Sequence, residues 1–501
     1  VTSPASHVEK PVSPGPAQTK PLWWWPAYLI AALAAAAYTA LSLARWHRQD
    51  NPSWDLGIFE QAVKGYAHFQ APVVDLKGPD FVQLGDHFSP ILALLAPFYR
   101  LWPSATTLLV AQALLVALSV VPIGLAARRR LTGPGAVLLT SAYAISWGLQ
   151  TAVDCQFHEY AFAVPILAFA LVAYLDRRWL AAAIWAGLLL LVKEDLGLTV
   201  AALGLVMAGQ GYARCRRPSL RRNLPLARGD SDATDGRRQL RIGLVTFLGG
   251  VVGALLVLRV VIPAFNVEGT WDYWGDVGNA EESVGLLASL TSGLGVKLGT
   301  VVMLVALVAG ACLRSWLVVL VLPTMAWRMV SGVEFHWGTD YHYSMILMPI
   351  VFVAAIDALA KLRQSDHRLW RLYAKAVPAL SLAFGLLVLP FFPLSDLVRP
   401  STWAAPTRGT WTAEVMELMP KGSSVATDTG LLCQLVSDHT VYWLTPDQEP
   451  APDFVLVDPE AGWSEDPGDP AELAMSYYPG HTYVTLLDAS SSPFRLAQRL
   501  D

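Results

Sequence analysis

The stretch WWWPAYLIAALAAAAYTALSLA, Trp23 to Ala44, decides the fold. It carries no charged residue, and its roughly 22 residues at about 1.5 Å of rise each are long enough to cross a hydrocarbon core of about 30 Å. It is too long for a signal-peptide core and has no convincing small-residue cleavage site, so it reads as a membrane anchor. Ahead of it, residues 1–21 repeat Pro, Ser and Lys with almost no large apolar side chains; they cannot bury a core and are expected to be a disordered tail.

Working outward, further apolar runs lie at 106–127, 133–153, 158–175, 179–192, 195–210, 241–265, 298–313, 315–331, 343–360 and 375–393. With the first, about eleven spans are expected, which makes the chain an α-helical polytopic membrane protein. Composition agrees: 54% of the 501 residues are hydrophobic and 15% charged, against about 25% charged in soluble domains. A net charge of -4 gives no basic field for nucleic acid. The four cysteines show no CxxC spacing, so neither a zinc site nor a disulfide scaffold follows. Lys193, Glu194 and Asp195 interrupt the run 179–210; at mid-bilayer they would cost roughly 2.5–3.5 kcal/mol each, so a hairpin with its tip at the membrane surface is expected.

The positive-inside rule sets the orientation. With a cytoplasmic N-terminus, the inner segments hold Arg128–Arg130, Arg177–Arg178, the Arg-rich stretch 212–241, Arg314 and the loop with Lys361, Arg363, Arg368 and Arg371. The outer segments 154–157, 266–296 and 332–342 hold no Lys or Arg. The short apolar segment Ser89–Trp102, with Pro90 and Pro97, is then expected to lie in the outer interface or re-enter, and Arg214–Asp235 to form a flexible inner loop. Residues 22–395 form the membrane domain, with a long first outer loop at 46–105. Residues 396–501 change to a mixed composition with strand-like segments Ser424–Ala426, Val441–Leu444 and Asp453–Val457 and an amphipathic helix at Trp411–Leu418, a small extracytoplasmic α/β domain.

Under this topology the chemically interesting residues share the outer side. They are Asp55 and Glu60, Asp86 and His87, His158 and Glu159, Lys193 and Glu194, the aromatic stretch Trp271–Trp274 with Asp276, and His336 followed by Tyr341 and His342. Acids, imidazoles and aromatic rings at one membrane surface suggest a polar cavity for a hydroxylated, anionic substrate. Plainer readings exist for each. Asp55 and Asp86 could cap helices, Lys193 and Glu194 could pair locally across the hairpin, the Trp and Tyr residues could form an interfacial belt, and His158 and His336 could be structural. The carboxylate and imidazole pairs suit an optional divalent cation, Mg or Mn, but adjacent residues point apart and no HExxH or DxD spacing assigns metal ligands. Arg259 and Arg328 sit near the outer ends of their spans, where a guanidinium either snorkels or binds a phosphate at headgroup depth.

The runs Trp54-Asp55-Leu56-Gly57-Ile58-Phe59-Glu60-Gln61, Gly85-Asp86-His87-Phe88-Ser89-Pro90-Ile91-Leu92 with Ala96-Pro97, Phe157-His158-Glu159 and Lys193-Glu194-Asp195 resemble a widespread prokaryotic family of predicted polytopic membrane proteins of unknown function. The likeness covers about 45–460. That family is in turn similar to the GT-C superfamily of polyprenyl-phosphate-dependent glycosyltransferases, which includes oligosaccharyltransferases, protein O-mannosyltransferases and lipid A aminoarabinose transferases. The resemblance implies a catalytic carboxylate in the first outer loop, a place Asp55 occupies, and a polyprenyl-phosphate-linked sugar as donor. The WWD motif of oligosaccharyltransferases is absent, so their acceptor is not carried over.

The function expected from this resemblance is an inverting transfer of sugar at the outer face of the cell membrane. Asp55 would act as base; Arg259, Arg328 or Lys193 would stabilise the leaving phosphate; Asp86, His87, His158 and Glu159 would position sugar hydroxyls or hold the optional cation. A transporter or flippase, or a non-catalytic scaffold, are the rival classes; no obvious internal repeat favours the former.

Overall fold

The computed structural model describes residues 24–49, 53–216, 227–271, 286–406 and 408–501. The expected tail at 1–21 and the acidic-aromatic positions Asp272–Asp276 lie outside the described residues. The first apolar run is helix α1 (Trp25–Arg48), with Pro26 in its first turn, where a missing N–H is harmless, and Arg45, His47 and Arg48 in its last, facing the negative end of the helix dipole. The long loop after it folds as α2 (Trp54–Ala67) and as a 3-10 turn, Pro90–Leu95, that runs into the short α3 (Ala96–Leu101). Leu94, Phe98, Leu101 and Trp102 are exposed along that segment.

At the centre stands α4 (Ala105–Arg130), packed against α1, against α5 (Gly133–Ala144) and against α7 (Tyr160–Leu175). The backbone breaks after α5 and resumes as α6 (Trp147–Asp154); at the break the Tyr38 hydroxyl of α1 donates to the Ala144 carbonyl at 2.7 Å. Then come α8 (Trp179–Gly187), α9 (Leu196–Arg216) and α10 (Ala227–Leu256), the last continuing through a π-helical turn, Val257–Val261. Part of the expected loop Arg214–Asp235 is therefore helix, because α10 starts at Ala227.

Among the described residues seven helices are long and apolar enough to cross a membrane: Trp25–Arg48, Ala105–Arg130, Gly133–Asp154, Leu196–Arg216, Ala233–Phe265, His342–Leu362 and Arg368–Phe391. The other four expected spans are shorter apolar helices, Tyr160–Leu175, Trp179–Leu191, Leu294–Ala306 and Trp316–Val330, so helix length alone supports seven crossings and not eleven.

A seam of glycines joins α9 to α10. Gly197, Gly204 and Gly211 recur every seventh residue on one helix and Gly236, Gly243 and Gly250 on the other. A Cβ on Gly204 would stand 2.8 Å from the Gly243 carbonyl oxygen, one on Gly211 2.8 Å from that of Gly236, and one on Gly197 2.9 Å from that of Gly250. No side chain fits there, so the two backbones lie against each other, the close approach by which apolar helices associate without a hydrophobic drive.

The C-terminal unit is a five-stranded sheet in the order β2-β1-β3-β5-β4: β1 (Ser424–Thr427), β2 (Thr440–Trp443), β3 (Phe454–Val457), β4 (Tyr483–Leu487) and β5 (Arg495–Arg499). The first three are parallel, and β5 is antiparallel to both its neighbours. One face of the sheet, with Val425, Val441 and Phe454, joins the core of the helical body. The other, with Ala426, Val455 and Ala497, packs on the helix Pro470–Tyr477. The sheet grips α2: Gln61 donates to the Val441 carbonyl at 2.8 Å, Lys64 to the carbonyls of Val436 and His439 at 2.6 and 3.0 Å, and Trp54 meets Trp443 edge-on.

Candidate functional site at one end of the bundle

The site is built where the start of α2, the α6–α7 turn, the turn before α9 and the segment 331–344 meet. Ser53 caps α2 by accepting from the Leu56 N–H at 3.2 Å, which leaves Asp55, one position into the first turn, with no capping duty. The Asp55 side chain is 52% exposed, and its Oδ2 accepts from Nε2 of His158 at 3.1 Å. Burial of its surroundings works against ionisation, but the His158 hydrogen bond and the charges of His158, Lys193 and His87 outweigh it and hold the carboxyl below the usual range.

His158 is fixed from behind by Gln112 of α4. The Gln112 Oε1 accepts from the His158 backbone N–H at 2.8 Å, and its amide donates to the Ala152 carbonyl at 2.9 Å and to that of Gln156. The ring of His342 stacks on that of His158 with centroids 3.6 Å apart and planes 24° apart. Gln112 is the one amide in the apolar run 106–127, the sequence feature that marks it.

Glu159 and Lys193 form an ion pair of 2.7 Å in which the carboxylate is fully buried. Lys193 also lies over the Tyr160 ring, 5.1 Å from its centroid, and the Tyr160 hydroxyl donates to Asp195 at 2.6 Å. Burial disfavours the Lys193 charge, yet Glu159, Glu194 and Asp195 more than restore it and raise its pKa. Asp195 itself is driven up to about 6, chiefly by burial. Glu194 takes a different cation: its Oε1 meets His87 Nδ1 at 2.8 Å, and its Oε2 accepts from the Phe88 N–H at 3.1 Å. Burial and Lys193 oppose protonation of His87, but Asp86 and Glu194 prevail and its pKa is raised. Asp86 neither caps the apolar run nor reaches Asp55 by a hydrogen bond; it pairs with Lys77 at 2.6 Å. The local Lys193–Glu194 pair considered from sequence is thus replaced by two long-range pairs.

Other expected site residues stand elsewhere. Glu60 points into the α2–α3 contact, where the Tyr99 hydroxyl donates to it at 2.9 Å and burial pushes its carboxyl up to about 8, so it is a neutral packing acid and not a cavity residue. Arg328 does not snorkel. It is fully buried and donates to the carbonyls of His336 and Gly338, each at 2.7 Å, and to Ser344 at 3.0 Å, which pins the segment 331–344 over the site. Three of its five N–H groups are spent on the protein and the side chain has no exposed surface, so it is built into the scaffold and not offered to the outer surface. His336 hydrogen-bonds Ser331 at 2.6 Å, and burial lowers its pKa to about 4, which keeps it neutral. Tyr341 is exposed and contributes its carbonyl to Thr151. Arg259 is exposed in the π-helical turn after α10, and the charges acting on Asp55 are those of His158, Lys193 and His87 instead. Among the described residues no three His, Cys, Asp or Glu side chains are grouped to hold a metal; Glu159, Glu194 and Asp86 already face basic partners, a poor fit for the optional cation.

The fold is similar to that of a solved membrane protein, ArnT. ArnT from Cupriavidus metallidurans, solved bound to undecaprenyl phosphate, is similar over 94% of this chain and 97% of its own, with a TM-score of 0.51 and 13% identity. The Archaeoglobus fulgidus oligosaccharyltransferase, solved with a tethered acceptor peptide, aligns over 87% of this chain and 69% of its own at 12% identity, with a TM-score of 0.37, too low to argue from. None of the curated proteins matches the sequence. The family described as predicted membrane protein (DUF2079) matches residues 22–478, and the chain belongs to it.

Proposed function

We propose that the chain is an inverting glycosyltransferase that passes a sugar from a polyprenyl-phosphate donor to an extracytoplasmic hydroxyl acceptor: a cell-envelope glycan, lipid or protein. The observation that carries this reading is the contrast within the cluster: Asp86, Glu159 and Glu194 are buried and paired, whereas Asp55 is half-exposed, hydrogen-bonded to one histidine and held ionised by the surrounding cations. Asp55 would take the proton of the acceptor hydroxyl as its oxygen bonds to the anomeric carbon. The bond from that carbon to the phosphate oxygen breaks with its electron pair, leaving polyprenyl phosphate. His158 occupies one carboxylate oxygen and so presents the other. Lys193 and His87, the other two cations acting on Asp55, replace Arg328 as the groups that face the departing phosphate charge. Chain-dependent release of polyprenyl phosphate from labelled polyprenyl-phosphate sugars, in vesicles carrying an acceptor extract, tests the proposal. No release from any donor would overturn it.

The site also sets a pH profile. Asp55 has a lowered pKa, so its base form is present at neutral pH and is lost only as pH falls below the ordinary value of about 3.9. His87 has a raised pKa, so its charge is complete in acid and is lost as pH rises through a value above the ordinary value of about 6.5. Transfer should be level from about pH 5 to neutrality and decline on the alkaline side, and His87→Gln should lower the rate and flatten that decline. An acidic limb centred above pH 5 in the kcat/KM profile would exclude Asp55 as the base.

The orientation belongs to the same proposal, because donor and acceptor must meet outside. Ser490 is exposed on the sheet unit and Cys215 lies at the opposite end of α9 from Lys193. In intact cells Ser490→Cys should be labelled by an impermeant maleimide while Cys215 is labelled only after lysis. The reverse pattern would invert the topology.

A further inference from the structure

At the other end of the bundle from Asp55, α1, α4 and α5 leave a cavity of about 660 Å³. Its size falls within the range of about 300–1,000 Å³ typical of ligand sites. The three helices touch at Gly124, where a Cβ would come within 2.8 Å of Ala27 and 3.0 Å of Thr140. The cavity is walled by Ile30, Val137 and Leu138 and rimmed by Trp24 and Arg128.

The three arginines that end α4 are not equivalent. Arg129 and Arg130 share Asp176, at 3.0 and 2.6 Å. Arg128 has no carboxylate partner among the described residues and turns into the groove: a Cβ on Gly133 would lie 3.9 Å from its guanidinium. The positive end of α5 stands beside it, so two like-signed features adjoin an apolar slot with no anion supplied by the described protein. In a bilayer such a slot is filled by acyl chains and not by water.

We propose that this groove is a binding site for an anionic phospholipid of the bilayer, an acyl chain in the cavity and the headgroup phosphate on Arg128. The donor site plays no part in it. The groove lies at the arginine-rich end of the bundle, where anionic lipid is attracted by basic residues. The occupant is committed to lipid, and not to the chain's own residues 1–23, because Arg128 calls for an anion and that stretch holds Glu9 as its one acid against Lys10 and Lys20.

The test places a photoreactive phenylalanine analogue at Val137, which is 39% exposed in the wall, in the full chain in nanodiscs of equal phosphatidylglycerol and phosphatidylcholine. Mass spectrometry reads the adducts. Phosphatidylglycerol should exceed phosphatidylcholine by about tenfold, a preference of about 1.4 kcal/mol. In the Arg128→Gln background the ratio should fall to about one, whereas Arg129→Gln, which removes the same charge one residue away, should keep it. Equal adducts in the unaltered background, an equal loss in both arginine variants, or cross-links to peptides from residues 1–23 would each overturn the proposal.

Discussion

Asp55→Asn is expected to reduce sugar transfer by about two to four orders of magnitude, the usual contribution of a positioned general base, with folding unchanged. The neutral amide keeps the size of the side chain and can still meet His158, but it cannot take the acceptor proton. Stability should hold because Ser53 caps α2 and the Asp55 side chain is half-exposed. Thermal unfolding in detergent and the transfer assay, run on the same sample, separate the two effects. A folded variant with full activity would remove Asp55 from the mechanism and favour the flippase or scaffold reading.

The second large effect falls on stability. Lys193→Met strands the fully buried Glu159 carboxylate, and breaking a buried pair from one side costs about 3–5 kcal/mol. The unfolding temperature of the single variant should drop sharply. Adding Glu159→Gln removes the stranded charge and should recover most of the loss, while transfer stays low because the cation facing the leaving phosphate is gone. Recovery of transfer along with stability would show that Lys193 is purely structural. An unchanged unfolding temperature in the single variant would mean that the pair does not form.

Apolar run length and the one-sided distribution of acids and imidazoles were enough to read the helical bundle and the end at which Asp55, His158, Lys193 and Glu194 gather. Pairing within the cluster was not readable. Neighbours in a turn diverge, so Lys193 turns to Glu159, 34 positions away in sequence, and Glu194 to His87. Depth in the membrane also failed to distinguish the arginines. Arg328 is drawn inward because the chain after it folds back with carbonyls aimed at its guanidinium, while Arg259 lies on an exposed flank. The span count suffered from the same locality. Trp179–Leu191 and Trp316–Val330 stay short even with their 3-10 turns Leu188–Leu191 and Trp316–Val321 counted in, and hydropathy does not register where a helix stops.

The close backbone contact between α9 and α10 has a consequence for how the polypeptide can be divided. Six glycines interlock the two helices along their length. The partners are zipped and not merely tethered. A polypeptide ending near Arg216 and another beginning near Ala227 have the complementary surfaces to reassemble in the bilayer, and the tip carrying Lys193 and Glu194 would be held by that zipper as firmly as in the unbroken chain.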